Sequence, residues 1–172
     1  MAHPRAVIGT LFSALSLSCA VAMPFRGPGL DGAPDRMVVV SLTHAVVDPD
    51  RRRAFDAYTQ KLAASMESQP GLVGFSLRKE LFGNEAWTMS AWESEEALIA
   101  FSASTAHREA VDASREALVR ARFCRLTVQA RELPLSWSRV LEILDSERES
   151  VGESQAGAAT ESLEESAVRA SY

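Results

Sequence analysis

The apolar and polar positions of residues 37–150 change period several times, and each change indicates a new element. Residues 37–47, MVVVSLTHAVV, are dense in β-branched side chains and predict a strand. Asp48-Pro49-Asp50 follows as an N-cap, a first-turn proline and an acidic residue, which predicts the start of a helix. The apolar residues of that helix recur at helical spacing: Phe55, Tyr58, Leu62 and Met66.

The next segment predicts a β-hairpin followed by a helix. Residues 71–82 alternate as a strand, Gly83-Asn84 marks a turn, and residues 85–92 return as the antiparallel partner. Ser94, followed by two glutamates, is typical of an N-cap with favourable first-turn charge. The helix breaks near residues 104–105.

Beyond that break, a second helical stretch is predicted to turn Val111, Leu118 and Val119 inward. Residues 122–133 then predict a fourth strand, with Cys124, Leu126, Val128 and Ala130 on one face. Ser136 is the expected N-cap of a last helix.

The order β-α-β-β-α-β predicts an α+β, ferredoxin-like domain with a four-stranded antiparallel sheet and an extra C-terminal helix. Helices on one side leave the other face of such a sheet uncovered. The side chains expected there are too apolar to face water, and we predict a homodimer whose two sheets pack face to face as a dimeric α/β barrel. These side chains are Val73, Phe75, Leu77, Trp87, Met89 and Ala91.

The two ends of the chain differ from this domain, which is assigned to residues 37–150. Residues 6–22 form an uncharged, mostly apolar run ending in Ala20-Val21-Ala22, a small-x-small pattern, and residues 1–22 predict an export signal or an N-terminal anchor. A periplasmic or extracellular location follows, the alternative being a cytoplasmic protein that starts at Met23 or Met37. Residues 23–36 are expected to be a linker, and residues 151–172 a disordered acidic tail.

Composition narrows the possible partners and cofactors. The formal net charge of −5 and the pI of about 5.3 argue against nucleic acid, and no membrane partner is expected beyond the possible anchor. Two cysteines, Cys19 and Cys124, form no zinc-binding spacing, and no phosphate loop or acidic metal cluster stands out. We therefore expect no metal and no cofactor.

Candidate chemistry concentrates at the end of the second hairpin strand. Thr88, Ser90 and Trp92 share one face because strand side chains alternate, and two hydroxyls beside an indole suit a pocket for a phenol. Trp92 could instead fill the interface between sheet and helices. Phe101, on the following helix, is expected to border the same space.

His107 is the candidate base, since its unperturbed pKa of about 6.5 lets it accept a proton near neutrality. Its alternative role is to cap or pack the helix. On the first strand Thr43 is preferred as a pocket residue, because the parity of His44 places it on the opposite face. Arg78 is expected to solvate the hairpin edge, or else to reach an acidic substrate.

Residues 70–111 read PGLVGFSLRKELFGNEAWTMSAWESEEALIAFSASTAHREAV. Their Pro-Gly opening, strand-end Trp, Trp-Glu-Ser-x-x-Ala-Leu junction and later Ser-x-x-His resemble the antibiotic biosynthesis monooxygenase-like family of the dimeric α/β-barrel superfamily. The resemblance covers roughly residues 37–132. It implies an expected activity: cofactor-independent oxidation of a small aromatic or quinol-type compound, held by Trp92.

The resemblance also exposes departures from the active members. An Asn four residues before the Trp is Thr88 here, and a Tyr six residues after it is Leu98. The helix His of haem-degrading members is expected at Val111, about one turn beyond His107, which makes haem degradation improbable. The alternative to an oxygenase is a non-catalytic module of the same fold that binds a small hydrophobic ligand or only dimerises.

Overall fold

The computed structural model describes residues 19–30 and 32–146. The expected anchor lies mostly, and the acidic tail wholly, outside the described residues. The elements are, in chain order, β1 (Ala20–Ala22), β2 (Met37–Val47), α1 (Arg52–Met66), β3 (Leu72–Glu80), β4 (Glu85–Trp92), α2 (Glu95–Ser102), α3 (Thr105–Ser114), β5 (Leu118–Gln129) and α4 (137–146).

The sheet has the order β1-β3-β4-β2-β5, and all its neighbouring strands are antiparallel. The predicted α+β, ferredoxin-like arrangement is confirmed, but the sheet has five strands where four were predicted. The additional strand is β1, formed by the same three residues that were interpreted as a cleavage signal. No helix among the described residues combines the length and the apolar character needed to cross a membrane.

Short polar side chains begin the helices, as the sequence predicts. The Asp48 side chain accepts a hydrogen bond from the Asp50 N–H at 2.9 Å, and a single 3₁₀ turn precedes α1. Ser94 accepts from the Ala97 N–H at 3.3 Å and begins α2, while Ser104 accepts from the His107 N–H at 3.2 Å and begins α3. The cap of α3 therefore determines where His107 is held.

Strand β5 begins four residues earlier than predicted, at Leu118. Its backbone pairs along the whole of β2, from Val47 opposite Leu118 to Met37 opposite Gln129. The prediction of Val119 as an inward helix residue was wrong, because it lies on this edge strand and is 67% exposed. Pairing with a long central strand outweighs a weak helical pattern.

Helices cover one face of the sheet. Helices α1 and α2 pack there around one buried cluster: Ala63, Met66, Leu72, Phe75, Trp92, Leu98 and Phe101. Phe75 and Leu77 were predicted to lie on the opposite face with Trp87. That prediction was wrong, because Phe75 pairs with Ser90 and Leu77 with Thr88, so from Phe75 onward the odd positions of β3 share a face with even positions of β4.

Helix α4 covers the second face, which was predicted to be open. Its Val140 and Leu144 are buried in one cluster with Val38, Val40, Leu42, Trp87, Met89 and Ala91. Within the single chain Trp87 is 7% exposed and Ala91 is fully buried. Helix α4 therefore shields the apolar face from water without a second copy of the chain. The homodimer stays a prediction, but an uncovered apolar face no longer supports it.

The segment expected to be a linker also packs against the sheet. The Met23 N–H donates to the Leu77 carbonyl at 2.8 Å, and the buried Ser76 hydroxyl donates to the Met23 carbonyl at 2.6 Å. Phe25 packs against the α4-covered cluster, and a Cβ at Gly74 would stand 2.4 Å from its ring. Glycine at position 74 thus permits this close approach.

Replacing Leu144 by Ala tests the role of α4. The loss of a buried leucine side chain is expected to lower the free energy of unfolding by about 2 to 5 kcal/mol, because packing around the cavity relaxes only partly. Denaturant titration measures the change. Ile99→Ala is the matched control, since Ile99 is 52% exposed. Equal effects of the two variants would contradict burial of this face by α4.

A chain that starts at Met23, as expected after cleavage behind Ala22, tests the role of β1. It loses the bond from the Leu81 N–H to the Cys19 carbonyl, 2.8 Å in the full chain. Hydrogen exchange at Leu81 is therefore expected to accelerate, because its amide faces water. The Phe75 amide donates to the Arg26 carbonyl at 2.8 Å and is expected to stay protected. Unchanged exchange at Leu81 would show that β1 does not protect this edge.

Candidate functional site

Two neighbouring strands place four hydroxyl groups together on the face of the sheet covered by α1 and α2. Thr43 pairs with Thr88 and Ser41 with Ser90, so that β2 and β4 contribute two hydroxyls each to what we call the hydroxyl row. Directly paired residues have Cβ atoms about 5 Å apart. All four side chains are half-buried. The predicted residues Thr43, Thr88 and Ser90 thus lie together, and the row can bind an oxygen-bearing ligand.

Ser41 was not predicted as a member of this row. The signal that identifies it is the period of two along β2, which places Ser41 on the same face as Thr43. His44 faces the other side of the sheet and pairs with Trp87, in agreement with the parity argument.

Trp92 lies at the end of the row and is fully buried. Its indole N–H donates to the Ser90 hydroxyl oxygen at 3.0 Å. Its ring is stacked on Phe101, with centroids 4.8 Å apart and planes at 28°. Trp92 therefore fills the interface between the sheet and the helices, which is the alternative role that the sequence left open. Because Ser90 accepts from the indole, its own O–H is free to donate to a ligand.

His107 contacts the other side of Phe101. The two rings meet edge to face, with centroids 4.9 Å apart and planes at 65°. The Nδ1–H donates to the Ser102 carbonyl at 3.1 Å, which leaves the Nε2 lone pair as the basic atom. Nε2 makes no hydrogen bond within residues 19–30 and 32–146. Phe101 therefore separates His107 from Trp92, and the two predicted catalytic residues do not touch.

Burial sets the protonation state of His107. Desolvation lowers the pKa of the imidazole below 6.5, and the hydrogen bond to the Ser102 carbonyl opposes this effect in part. The imidazole is consequently neutral at neutral pH. A neutral imidazole with a free Nε2 can accept a proton from a phenol or a related acid.

The other flank of the hydroxyl row is open to solvent. Phe123 of β5 pairs with Thr43 and is 74% exposed, because no described helix covers this part of β5. Next to it, Arg125 pairs with Ser41 and forms a salt bridge with Glu95 at 3.2 Å. Sequence reasoning missed Phe123 as a site residue, although its alternation with Cys124 places it on this face. A ligand can enter from the β5 side.

Two shallow cavities lie elsewhere on the surface. One, of about 550 Å³, is lined by Pro49, Asp50, Arg52, Arg53 and Asp56. Another, of about 380 Å³, lies where residues 25–34 meet residues 130–134. Neither is lined by the hydroxyl row. In the described part of the chain no three His, Cys, Asp or Glu side chains are grouped so that they could hold a metal ion.

Comparison with known proteins identifies the central domain. Residues 37–113 match the model of the family described as "Antibiotic biosynthesis monooxygenase". These residues make up less than half of the chain, and over them the resemblance inferred from the sequence is confirmed. No curated protein shows significant similarity to the chain.

Solved structures are similar to this chain at low sequence identity. A Pseudomonas aeruginosa protein superposes with a TM-score of 0.50 at 12% identity, covering 54% of this chain and 94% of its own. SnoaB, a cofactor-independent oxygenase from Streptomyces nogalater, has a TM-score of 0.49 at 20% identity, covering 56% of this chain and 97% of its own. A Lactobacillus acidophilus protein has a TM-score of 0.48 at 17% identity, and the match covers 57% of this chain and about half, 49%, of that protein.

The lowered pKa of His107 predicts a pH dependence of stability. The unfolded chain, with a His pKa near 6.5, binds a proton more readily than the folded chain, in which the pKa of His107 is lowered. The contribution of neutral His107 to the free energy of unfolding is therefore present above about pH 6.5 and is lost as pH falls. The wild-type protein is expected to lose more stability than His107→Gln between about pH 7.5 and pH 5. Denaturant midpoints at both pH values measure the difference. Parallel pH profiles of the two proteins would contradict the lowered pKa.

Proposed function

We propose that this protein is a cofactor-independent monooxygenase acting on a small aromatic or quinol-type compound. The observation that carries the proposal is the match of residues 37–113 to the antibiotic biosynthesis monooxygenase family. Two features of the site support it: a row of four hydroxyls on one face of the sheet, and a neutral imidazole with a free Nε2 on the adjoining helix. Together they can bind a phenolic oxygen and remove its proton.

The reaction begins with proton transfer. His107 Nε2 accepts the phenolic proton, and the hydroxyls of Thr43 and Thr88 donate hydrogen bonds to the resulting anion. The electron-rich anion gives one electron to dioxygen, and the resulting aryloxyl radical joins superoxide at a ring carbon through a new carbon–oxygen bond. The protonated His107 returns its proton to the peroxide.

Product formation completes the balance. The ring carbon that carries the hydroperoxide loses its proton as the O–O bond breaks, and hydroxide leaves with a proton as water. One phenol and one dioxygen thus give one quinone and one water. The substrate supplies the electrons, and the residues of the site bind it, orient it and move its protons.

Trp92 acts in this mechanism through Ser90. Its N–H donates to the Ser90 oxygen at 3.0 Å, which leaves the Ser90 O–H to donate to the substrate. Phe101 lies at the Trp92 end of the row and Phe123 lies beside Thr43, so a substrate ring placed over the row would be bordered by these two rings. Direct stacking on Trp92 requires Phe101 to rotate away, since Phe101 covers the indole face.

The alternative function is a non-catalytic module of the same fold, either binding a small hydrophobic ligand or contributing to a homodimer. Burial of Trp92 under Phe101 favours this alternative, because a filled interface is typical of a structural role. Ligand-induced thermal stabilisation without oxygen consumption would identify a binding module.

Oxygen uptake with anthrone and hydroquinone substrates tests the proposed activity. His107→Gln is expected to lower kcat at least about a hundredfold, as for loss of a general base. Thr88→Val is expected to lower kcat/KM about tenfold by removing one hydrogen bond to the anion. Thr88→Asn, which restores the residue of the active relatives, is expected to keep or raise the rate.

Thr127→Val is the matched control for Thr88→Val. Thr127 lies on the same face of the sheet but is exposed on β5, outside the hydroxyl row, and its replacement is expected to leave the rate unchanged. The proposal fails if a panel of phenols and quinols gives no uptake above buffer. It also fails if His107→Gln is as active as the wild-type protein.

A further inference from the structure

On the α4-covered face, four side chains from adjacent strands stand in one line across the sheet. Arg78 of β3 pairs with Trp87 of β4, Trp87 pairs with His44 of β2, and His44 pairs with Arg122 of β5. We call this line the arginine row. It lies on the opposite side of the sheet from the hydroxyl row, and the proposed oxygenase chemistry does not use it.

The members of the arginine row contact one another in sequence. The Arg78 guanidinium lies 5.5 Å from the Trp87 ring centroid, and the Trp87 and His44 rings are stacked 5.2 Å apart at 7°. Arg122 Nη2 donates to His44 Nδ1 at 2.7 Å, so the His44 Nε2–H donates to Glu85 at 2.8 Å. His44 and Trp87 are 6% and 7% exposed. Arg78 and Arg122 thus contact the two ends of the stack formed by the Trp87 and His44 rings.

Both arginines keep buried donors without an acceptor. Nε of Arg78, and Nε and Nη1 of Arg122, make no hydrogen bond within the described structure. Neither guanidinium forms a salt bridge with a carboxylate of the described residues. A buried N–H without an acceptor costs about 1 to 3 kcal/mol, and more when the group is charged. Such donors are what an anion satisfies.

The charges around the row leave a small positive excess. Glu85 accepts from His44, and Glu80, which is engaged in other contacts, accepts from the Glu85 N–H at 3.3 Å. Arg120 pairs with Val46 at the same end of the sheet and is exposed. Counted over the strands alone, this face carries the three guanidinium groups of Arg78, Arg120 and Arg122 and the two carboxylates of Glu80 and Glu85, an excess of one positive charge.

We propose that the Arg122 end of the arginine row is a binding site for a monocarboxylate. An arginine offers a planar fork of donors that matches a carboxylate, and one excess positive charge balances one carboxylate. A phosphate dianion exceeds that charge and is repelled by Glu85. The ligand reaches the row from the end of the sheet, where Arg120 and the 37%-exposed side chain of Glu85 meet solvent.

Benzoate is the probe and benzamide its uncharged isostere. The full-length protein is titrated with each, while NMR follows the Nε–H resonance of Arg122. Benzoate is expected to shift this resonance and to bind at least about tenfold more tightly than benzamide. Arg122→Gln is expected to weaken benzoate binding by a similar factor, and Arg122→Lys, which keeps the charge, by less.

Arg125→Gln is the matched control. Arg125 lies on the same strand but on the opposite face, paired with Glu95, and its replacement is expected to leave benzoate affinity unchanged. Because Arg122→Gln can also weaken the fold, its denaturant midpoint is measured alongside. A variant that folds as stably as the wild-type protein and binds benzoate equally well overturns the proposal, as does an Arg122 resonance unmoved by benzoate.

Two sources of the carboxylate are compared, a free molecule and the side chains of Glu147 and Glu149. The double variant Glu147→Gln, Glu149→Gln distinguishes them. If the chain supplies the ligand, the double variant shifts the Arg122 resonance without any addition and binds benzoate more tightly. If the ligand is free, benzoate affinity stays the same. Both results support a carboxylate site and identify its occupant.

Discussion

The pairing of β2 on both of its edges is the constraint on which the rest of the structure depends. This strand of eleven residues hydrogen-bonds to β4 on one side and to β5 on the other along nearly its full length. Its alternation then assigns every neighbour to a face. Thr43 and Ser41 lie on the face covered by α1 and α2, whereas His44 lies on the face covered by α4. A shift of one residue in register would exchange the two faces and destroy both groups of polar residues at once.

The local part of the fold was predictable from sequence. The bounds of β2 and β4 agree with the predicted ranges 37–47 and 85–92, and Ser94 caps α2, because these features depend on neighbouring residues only. The non-local features were not predicted. The early start of β5, the face occupied by Phe75, and the addition of β1 all depend on which distant backbone supplies a partner. Packing of α4 over the sheet likewise depends on the whole apolar face rather than on its own pattern.

The same division applies to the two sites. Alternation along β2 and β4 was enough to group Thr43, Thr88 and Ser90, and it separated His44 from them. It could not show that Phe101 lies between Trp92 and His107, since that depends on how two helices pack onto a strand end. Arg78 was expected at a solvated edge. Its direct neighbour Trp87 lies on the adjacent hairpin strand, but other members of the row are far apart in the sequence, as with Arg122 and His44, 78 positions apart.

Strand β1 bears on the order of two events, the folding of the sheet and the predicted cleavage of the N-terminal segment. Ala20–Ala22 pair with β3 through the backbone groups that the predicted cleavage would require a peptidase to bind in extended form. The two uses exclude each other. If residues 1–22 are the export signal that the sequence predicts, formation of the sheet withdraws this stretch from the peptidase, and the relative rates of folding and cleavage determine which N-terminus the protein carries.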